Sequence, residues 1–407
     1  MHRRSFLRLV PAAGLVAVSL PTLAACSDDT TSSDATGDTP GGGPGTTGGT
    51  APPAPAAAFA GYGPLLAPDA NGLRLPEGFT SRIVAESGVE VAGTGYVWPP
   101  NPDGGAVFAV DDGWIYVANS ESGPPDGGAS MLRFDADGEV VEARRILGDT
   151  VRNCAGGAMP WQTWLSCEEV PTGLVYECDP TGASPAEVRP AMGVFNHEAA
   201  AADPGLEVIY LTEDDPTGGL YRFRPDTWGD LSAGTLEVLA DVDGALRWLA
   251  VPDPAGVSSP AAVATKDQVE GIRRFDGGEG ADVIDGALYF STKGDNRLWR
   301  LDPVGDDGAE VTVVWDSATA DDGVVIEDVD NVVVGPGGLP FVAEDGDAQH
   351  LVVVGPDGDM WPVAQSVETP DSEIAGPAFS PDGTRVYFSS QRSPGRTFEV
   401  TGPFTTA

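Results

Sequence analysis

Cys167, Glu168 and Glu169 stand side by side at the end of an apolar and aromatic run, Trp161-Gln162-Thr163-Trp164-Leu165, within the stretch NCAGGAMPWQTWLSCEEV. A thiol and two carboxylates at one strand end offer one soft and two hard anionic ligands, a mixture suited to a transition metal beside calcium. A buried or disulfide-bonded cysteine next to two solvated acids would give the same letters. The metal reading gains weight because acidic corners recur along the chain, at Glu198 in FNHE, Glu213 and Asp214 in LTEDD, and Glu279 in EGAD. They continue at Asp330 and Asn331 in DVDN, Glu344 and Asp345 in AEDG, and Glu373 in SEIAG.

These corners sit at fixed places in a repeat. Segments of roughly 30 to 50 residues, a period at which propellers must be considered, share one plan of acidic corner, apolar strand, glycine turn, aromatic strand and second acidic corner. Copies begin at Gly104, Asn153, Phe195, Gly278, Ile326 and Ser372, each followed by a third strand such as Met131-Leu132-Arg133-Phe134 or Leu298-Trp299-Arg300-Leu301. Short strands punctuated by Asp-Gly and Pro-Gly turns, with no useful helical periodicity, indicate an all-β chain. Closing the blades into a ring removes open sheet edges. The expected fold is therefore a six-bladed β-propeller, with five or seven blades as alternatives because Trp228 to Lys266 does not parse as a copy. The early strand Phe79 to Ala85 is expected to complete the last blade.

In a propeller, the residues before each first strand and after each second strand open on one mouth of the channel. The recurring acids occupy those two places. So many carboxylates on one rim repel one another unless cations neutralise them.

The 407 residues carry 22 basic and 62 acidic side chains, a net charge of -40. Such a chain repels phosphate backbones, so nucleic acid is excluded as a binding partner. Arg3-Arg4-Ser5-Phe6-Leu7 followed by a short apolar stretch reads as a twin-arginine export signal, and Leu23-Ala24-Ala25-Cys26 as a lipobox. Residues 1–25 are thus a signal peptide, Cys26 the lipidation site, residues 26–58 a Ser, Thr, Gly and Pro-rich tether, and residues 59–407 the folded domain. The expected location is the outer face of a bacterial cell membrane, with membrane contact through the lipid anchor only. A closed ring of this kind is expected to be a monomer.

The ordered set RNCAGG…PWQTWLSCEE, FNHEAAA…YLTEDD…GGLYRF, EGADVIDGALYFST, DVDN…AEDG and SEIAGPAFSPDG…TFEVTGPF resembles the PhoX-type alkaline phosphatases, in a compact form, from about Phe59 to the C-terminus. The resemblance implies a propeller with iron(III) and calcium at one mouth, hydrolysing small phosphate monoesters outside the cytoplasm. It implies Cys167 as the iron thiolate, with Glu168 and Glu169 beside it. Glu198, Glu213, Asp214, Glu279, Asp330, Asn331, Glu344, Asp345 and Glu373 fall on the remaining metal positions. His197 would orient Glu198 or serve as a structural histidine. Lys293, Arg297 and Arg392 occupy rim loops suited to clamping a phosphate, although each could equally pair with neighbouring acids.

Cysteine arithmetic adds an expectation. With Cys26 lipidated, Cys154, Cys167 and Cys178 form an odd set, so Cys154 and Cys178 are expected to pair and Cys167 to remain a thiolate. Two other functions fit a calcium-lined propeller: a lactonase or other ester hydrolase without an iron thiolate, and a noncatalytic lipoprotein braced by calcium.

Overall fold

The strands follow the punctuation of the sequence. Apolar and β-branched runs pair antiparallel through short turns, and among the described residues only two short 3-10 turns, Pro190–Met192 and Thr265–Asp267, interrupt the β structure. The computed structural model describes residues 59, 61–256, 263–320, 326–367 and 371–404. The expected signal peptide, the expected lipidation site Cys26 and the expected tether lie outside the described residues.

The strands form five sheets in a propeller-like, all-β arrangement. Pro102–Val110, Gly113–Ser120, Gly128–Asp135 and Val140–Gly148 make one antiparallel meander, and Asn153–Ala158, Trp164–Glu168, Val175–Cys178 and Glu187–Val188 the next. A nine-stranded sheet follows. It contains the meander His197–Asp203, Val208–Glu213, Leu220–Thr227 and Asp230–Val242, and a second one of Gly278–Ile284, Ala287–Thr292, Arg297–Val304 and Gly308–Asp316. Ala245–Ala250 joins their outer edges, pairing with both Asp230–Val242 and Gly308–Asp316. This hairpin is the content of the stretch that does not read as a repeat.

Val329–Val334, Pro340–Glu344, His350–Val354 and Met360–Ser366 form the fourth sheet, with Leu73–Arg74 on its edge. Ile374–Phe379, Arg385–Ser390 and Arg396–Thr401 form the fifth, and its outer strand is Thr80–Glu86 from the other end of the chain. The expected closure by an N-terminal strand is therefore present, reinforced by ion pairs from Arg396 to Glu86 at 2.8 Å and from Arg82 to Glu399 at 3.0 Å.

The first strands neighbour one another in a closed order. Pro102–Val110 lies beside Asn153–Ala158, then His197–Asp203, Gly278–Ile284, Val329–Val334 and Ile374–Phe379, which returns to Pro102–Val110. Between successive meanders lie separate apolar clusters. The one that seals the closure stacks Trp114, Phe134, Tyr116 and Tyr387, with Phe134 and Tyr387 ring centroids 4.9 Å apart. Each such buried aromatic contributes about 1.5 to 3 kcal/mol by removing apolar area from water.

The Tyr387 hydroxyl donates to Glu399 at 2.7 Å and accepts from the Trp114 indole at 3.0 Å, inside that cluster. Tyr387→Phe leaves the buried Trp114 indole without its acceptor, while Glu399 keeps Arg82, so it is expected to cost about 1 to 3 kcal/mol. Urea unfolding of the two proteins measures the difference, and an unchanged midpoint would remove this pair from the account of ring closure.

Candidate metal centre

Five of the six first strands begin with a paired residue and then a β-bulge. Register breaks between Pro102 and Gly105, Asn153 and Gly156, His197 and Ala200, Gly278 and Ala281, and Val329 and Val332. A bulge takes a residue out of the pleat and re-aims its side chain. The residues so placed are Asp103, Cys154, Glu198, Glu279 and Asp330. In the sixth strand the break falls between Ala375 and Ala378, and the corresponding residue is Gly376 at φ +63°. A Cβ there would lie 2.3 Å from the Asp103 carbonyl oxygen, so only glycine fits. Glu373 enters from the preceding turn instead.

A second ring comes from the residue after each second strand: Glu121, Glu169, Asp214, Lys293, Asp345 and Gln391. The two rings meet. The Cys154 Sγ and carboxylate oxygens of Glu169 and Glu198 all lie within 4.8 Å of one another, as do oxygens of Asp103, Glu121 and Glu373. Asp103, Glu198, Glu279, Asp330 and Glu373 are all buried. Glu198 is 1% exposed, and its Oε2 has no hydrogen-bond partner among the described residues.

Three cations cap this mouth. Arg152 bridges Glu121, at 2.7 Å, and Glu169. Lys293 bridges Glu279 at 3.2 Å and Asp345 at 3.1 Å, and Arg392 bridges Glu373 at 2.8 Å and Asp345 at 3.6 Å.

Burial and mutual repulsion disturb the titration of the cluster. Burial first, and Glu121 second, push Asp103 up to about 7. Burial pushes Glu169 up to about 8, with Glu121 and Asp214 adding to the rise against the opposing Arg152. Glu198, Glu279, Asp330 and Glu373 are all raised well above the ordinary carboxylate range, burial again leading. Burial also works against the charge on Asp345, but the hydrogen bond with Glu373 and the nearby Lys293 outweigh it and hold Asp345 low. Carboxylates that cannot all ionise alone, one thiol and an unpartnered buried oxygen are a donor set that fits multivalent cations: the thiol and its carboxylate neighbours suit iron(III), the all-oxygen triad calcium.

A family model for alkaline phosphatase PhoX matches residues 122–395, two thirds of the chain. The chain belongs to the PhoX alkaline phosphatase family. It is accordingly a phosphatase. The fold resembles that of Pseudomonas fluorescens PhoX, solved with vanadate as a transition-state analogue, with TM-score 0.69 and 16% identity over 82% of this chain and 96% of that one. It also resembles a Bacteroides thetaiotaomicron protein of unknown function, with TM-score 0.50 and 12% identity over 79% and 76% of the two chains. No curated protein sequence matches.

Several expectations require correction against the PhoX-family frame. Cys167 is not at the mouth. It is fully buried among Leu165, Val175, Ile209 and Leu211, and burial raises its thiol strongly, so it is a packed core side chain. Cys154 holds the position expected of Cys167. The disulfide between Cys154 and Cys178 is absent, since Cys154, Cys167 and Cys178 are all free, and Cys178 lies in a different core cluster.

The acidic doublets divide their labour. Glu168 accepts from the Val151 and Leu174 amides, Glu213 from the Gly219 amide and Tyr221 hydroxyl, and Glu344 from the amides of Glu327 and His350. Each therefore braces its own loop, and the following residue, Glu169, Asp214 or Asp345, faces the mouth. Asn331 bridges Asp330, at 3.0 Å, and the Gly376 amide, at 2.6 Å. His197 spends Nε2 on the Gly193 carbonyl and packs on Phe195, so it does not orient Glu198; burial lowers it to about 3 and keeps it neutral. Arg297 pairs with Asp295 and Asp316 and with none of the acids at the mouth.

Asp103, Cys154 and Arg152 were missed as site residues. The usable signal was an acid or thiol followed by small residues at the start of each repeat: Asp-Gly-Gly, Cys-Ala-Gly-Gly, Glu-Ala-Ala-Ala and Glu-Gly-Ala.

Two measurements follow from this geometry. Asp103 and Glu169, raised to about 7 and 8, hold protons that an unfolded chain, with carboxyls near 4, has already released. Native protein then binds more protons than unfolded protein between those limits, so stability falls as pH rises through about 4 to 8. With chelator present the thermal midpoint should drop between pH 6 and 8.5, and added calcium should flatten the drop; a flat chelated profile would contradict the crowding. Separately, Glu213→Gln should lower stability by about 1 to 3 kcal/mol while sparing calcium affinity. Asp214→Asn should do the reverse, as read by melting and calcium titration.

Proposed function

We propose that this PhoX-family protein hydrolyses phosphate monoesters at an iron and calcium centre at one mouth of a six-bladed β-propeller, outside the cytoplasm. The observation that carries the reading is the convergence of Cys154 and buried carboxylates from separate strands on a single pocket, with Glu198 Oε2 unpartnered. The closed order of six first strands supports the blade count, the nine-stranded sheet being two blades joined by Ala245–Ala250.

In this reading Cys154, Glu169 and Glu198 hold iron(III), and Asp103, Glu121 and Glu373 hold calcium, with Asp214, Glu279, Asp330 and Asp345 completing the oxygen ligands. Bound cations supply charge neutralisation at the nonbridging phosphate oxygens and a polarised water as nucleophile. The chain's own groups do the rest. Arg152, Lys293 and Arg392 each bridge two carboxylates at the mouth, so in this reading they orient the ester's phosphoryl group and hold its charge as the leaving alcohol departs. His197 is not a general base in this reading, because its ring is fully buried and its Nε2 is tied to the Gly193 carbonyl, so it does not face the ester. The twin-arginine signal and lipobox at residues 1–26 support export and anchoring at the outer face of the cell membrane, where a closed ring acts as a monomer.

Cys154 and Cys167 separate this assignment from its rivals. Cys154→Ala should abolish thiolate-to-iron visible absorbance and lower kcat/KM for p-nitrophenyl phosphate by at least about 100-fold, the upper range for loss of a group supporting a metal. Cys167→Ala should keep the colour and cost about 1 to 2 kcal/mol of stability as a core truncation. A colourless wild-type protein that cleaves a lactone but not the monoester would overturn the phosphomonoesterase reading, and colour lost with Cys167 instead would return the iron to that residue.

A further inference from the structure

The bulges that deliver Cys154, Glu279 and Asp330 do not stand alone. In each meander the second strand has one residue opposite its own bulge, between the two registered pairs. That residue is Asn119 between Ala118 and Ser120, Thr212 between Leu211 and Glu213, and Ser291 between Phe290 and Thr292. All three are at most 1% exposed. Each reaches away from its own hairpin to the next first strand in the ring.

Asn119 Nδ2 donates to the carbonyls of Cys154 at 3.0 Å and Ala155 at 2.8 Å. Its Oδ1 is fixed in turn by the Trp164 indole at 3.0 Å and the Ser166 hydroxyl at 2.8 Å. The Thr212 hydroxyl donates to the Glu279 carbonyl and accepts from the Ala199 amide at 2.9 Å. The Ser291 hydroxyl donates to the Asp330 carbonyl.

The other three second strands place no such donor opposite their bulges: Cys167 precedes the bulge of Glu198, Phe388 that of Asp103, and Ala343 that of Gly376. The residue opposite the fourth sheet's bulge is Ala343, and the next bulge carries Gly376, whose carbonyl is held by the Tyr116 hydroxyl at 3.0 Å. A bond that holds a bulged residue's carbonyl holds its backbone, and with it the direction of the Cα–Cβ bond from which the ligating side chain starts.

We propose that Asn119, Thr212 and Ser291 are positioning residues of the centre, each one setting the aim of the ligating side chain on the neighbouring blade. The inference rests on the reading of Cys154, Glu279 and Asp330 as cation ligands. It makes the geometry of each ligand a property of two blades, so the ring's closure and the pocket's shape are one arrangement.

The test is calcium titration by calorimetry on the full chain after chelator treatment, with melting and circular dichroism as fold controls. Ser291→Ala and Thr212→Val should each weaken calcium binding about tenfold, the lower range for loss of a group supporting a metal ligand, and Ser291→Thr and Thr212→Ser should restore it. Ser380→Ala is the control. Its hydroxyl is also buried, but it closes the turn at the other end of the blade with Asp382 and Arg385, so it should lower the melting point and leave calcium affinity unchanged. Wild-type affinity in both Ser291→Ala and Thr212→Val would overturn the proposal. So would a loss that Ser380→Ala shares or that the hydroxyl-restoring variants do not repair, and so would failure of both variants to fold while Ser380→Ala folds. Wild-type protein that binds no calcium would instead defeat the metal reading itself.

Discussion

Repulsion among buried carboxylates is the constraint on which the rest of this structure depends. Asp103, Glu121, Glu169, Glu198, Asp214, Glu279, Asp330, Asp345 and Glu373 share one mouth with, among the described residues, only Arg152, Lys293 and Arg392 paired against them. At an effective dielectric near 20, two unit charges about 4 Å apart interact by about 4 kcal/mol, so a handful of unrelieved pairs would exceed the whole stability of an ordinary domain. Protonation relieves the strain at low pH and cations relieve it at high pH. The apolar clusters between meanders are what hold the strands together while that choice is made.

The geometry that creates the crowding is built from one local device used repeatedly. A regular strand alternates its side chains, so it cannot aim a residue along the channel axis while keeping both neighbours in the sheet. A bulge can. It also needs a small neighbour, because the first strands approach closely there: a Cβ on Gly280 would lie 2.2 Å from the Val332 nitrogen. The pairing of an acid or thiol with glycine or alanine at the start of each repeat is thus a steric requirement of the pocket, and the substitution of glycine at position 376 leaves the gap through which Glu373 enters.

This separates what the sequence made legible from what it did not. Strand rhythm and turn chemistry are local, so the repeats, the third strands and the closure by Thr80–Glu86 were readable. The population of acids at two structural positions was readable as well, and Glu169, Glu198, Asp214, Glu279, Asp330, Asp345 and Glu373 do meet. Cys154 and Cys167 could not be told apart, because both flank acidic or small residues and only the bulge at Asn153 to Gly156 decides which thiol leaves the pleat. The same holds for the doublets. Glu168 and Glu169 are chemically identical, and only strand register shows that the first turns back to its loop amides while the second faces the pocket. Arg297 was misplaced for a related reason: a cation near the rim in sequence pairs on the outer strands in space.

The reach of the side-chain cations orders the remaining chemistry. The three rim cations reach Glu121, Glu169, Glu279, Asp345 and Glu373, whereas among the described residues Asp103, Glu198, Asp214 and Asp330 make no ion pair. Three of these four, Asp103, Glu198 and Asp330, are also nearly solvent-free, at 0%, 1% and 4% exposure. Burial alone does not keep a side-chain cation away, since Lys293 reaches Glu279 at 1% exposure, but these four acids have none. In the proposed reading compact multivalent ions form one layer of positive charge on those acids and Cys154, and the guanidinium and ammonium groups a second, upper one at the rim. A phosphate monoester, doubly anionic and tetrahedral, is attracted to both layers at once and finds charge of one sign on two sides. A neutral lactone gains little from the upper layer, and the cost of keeping Arg152, Lys293 and Arg392 over the mouth is then unexplained. The division of the acids between side-chain cations and bound ions, more than their number, is what favours a phosphoryl substrate in this reading.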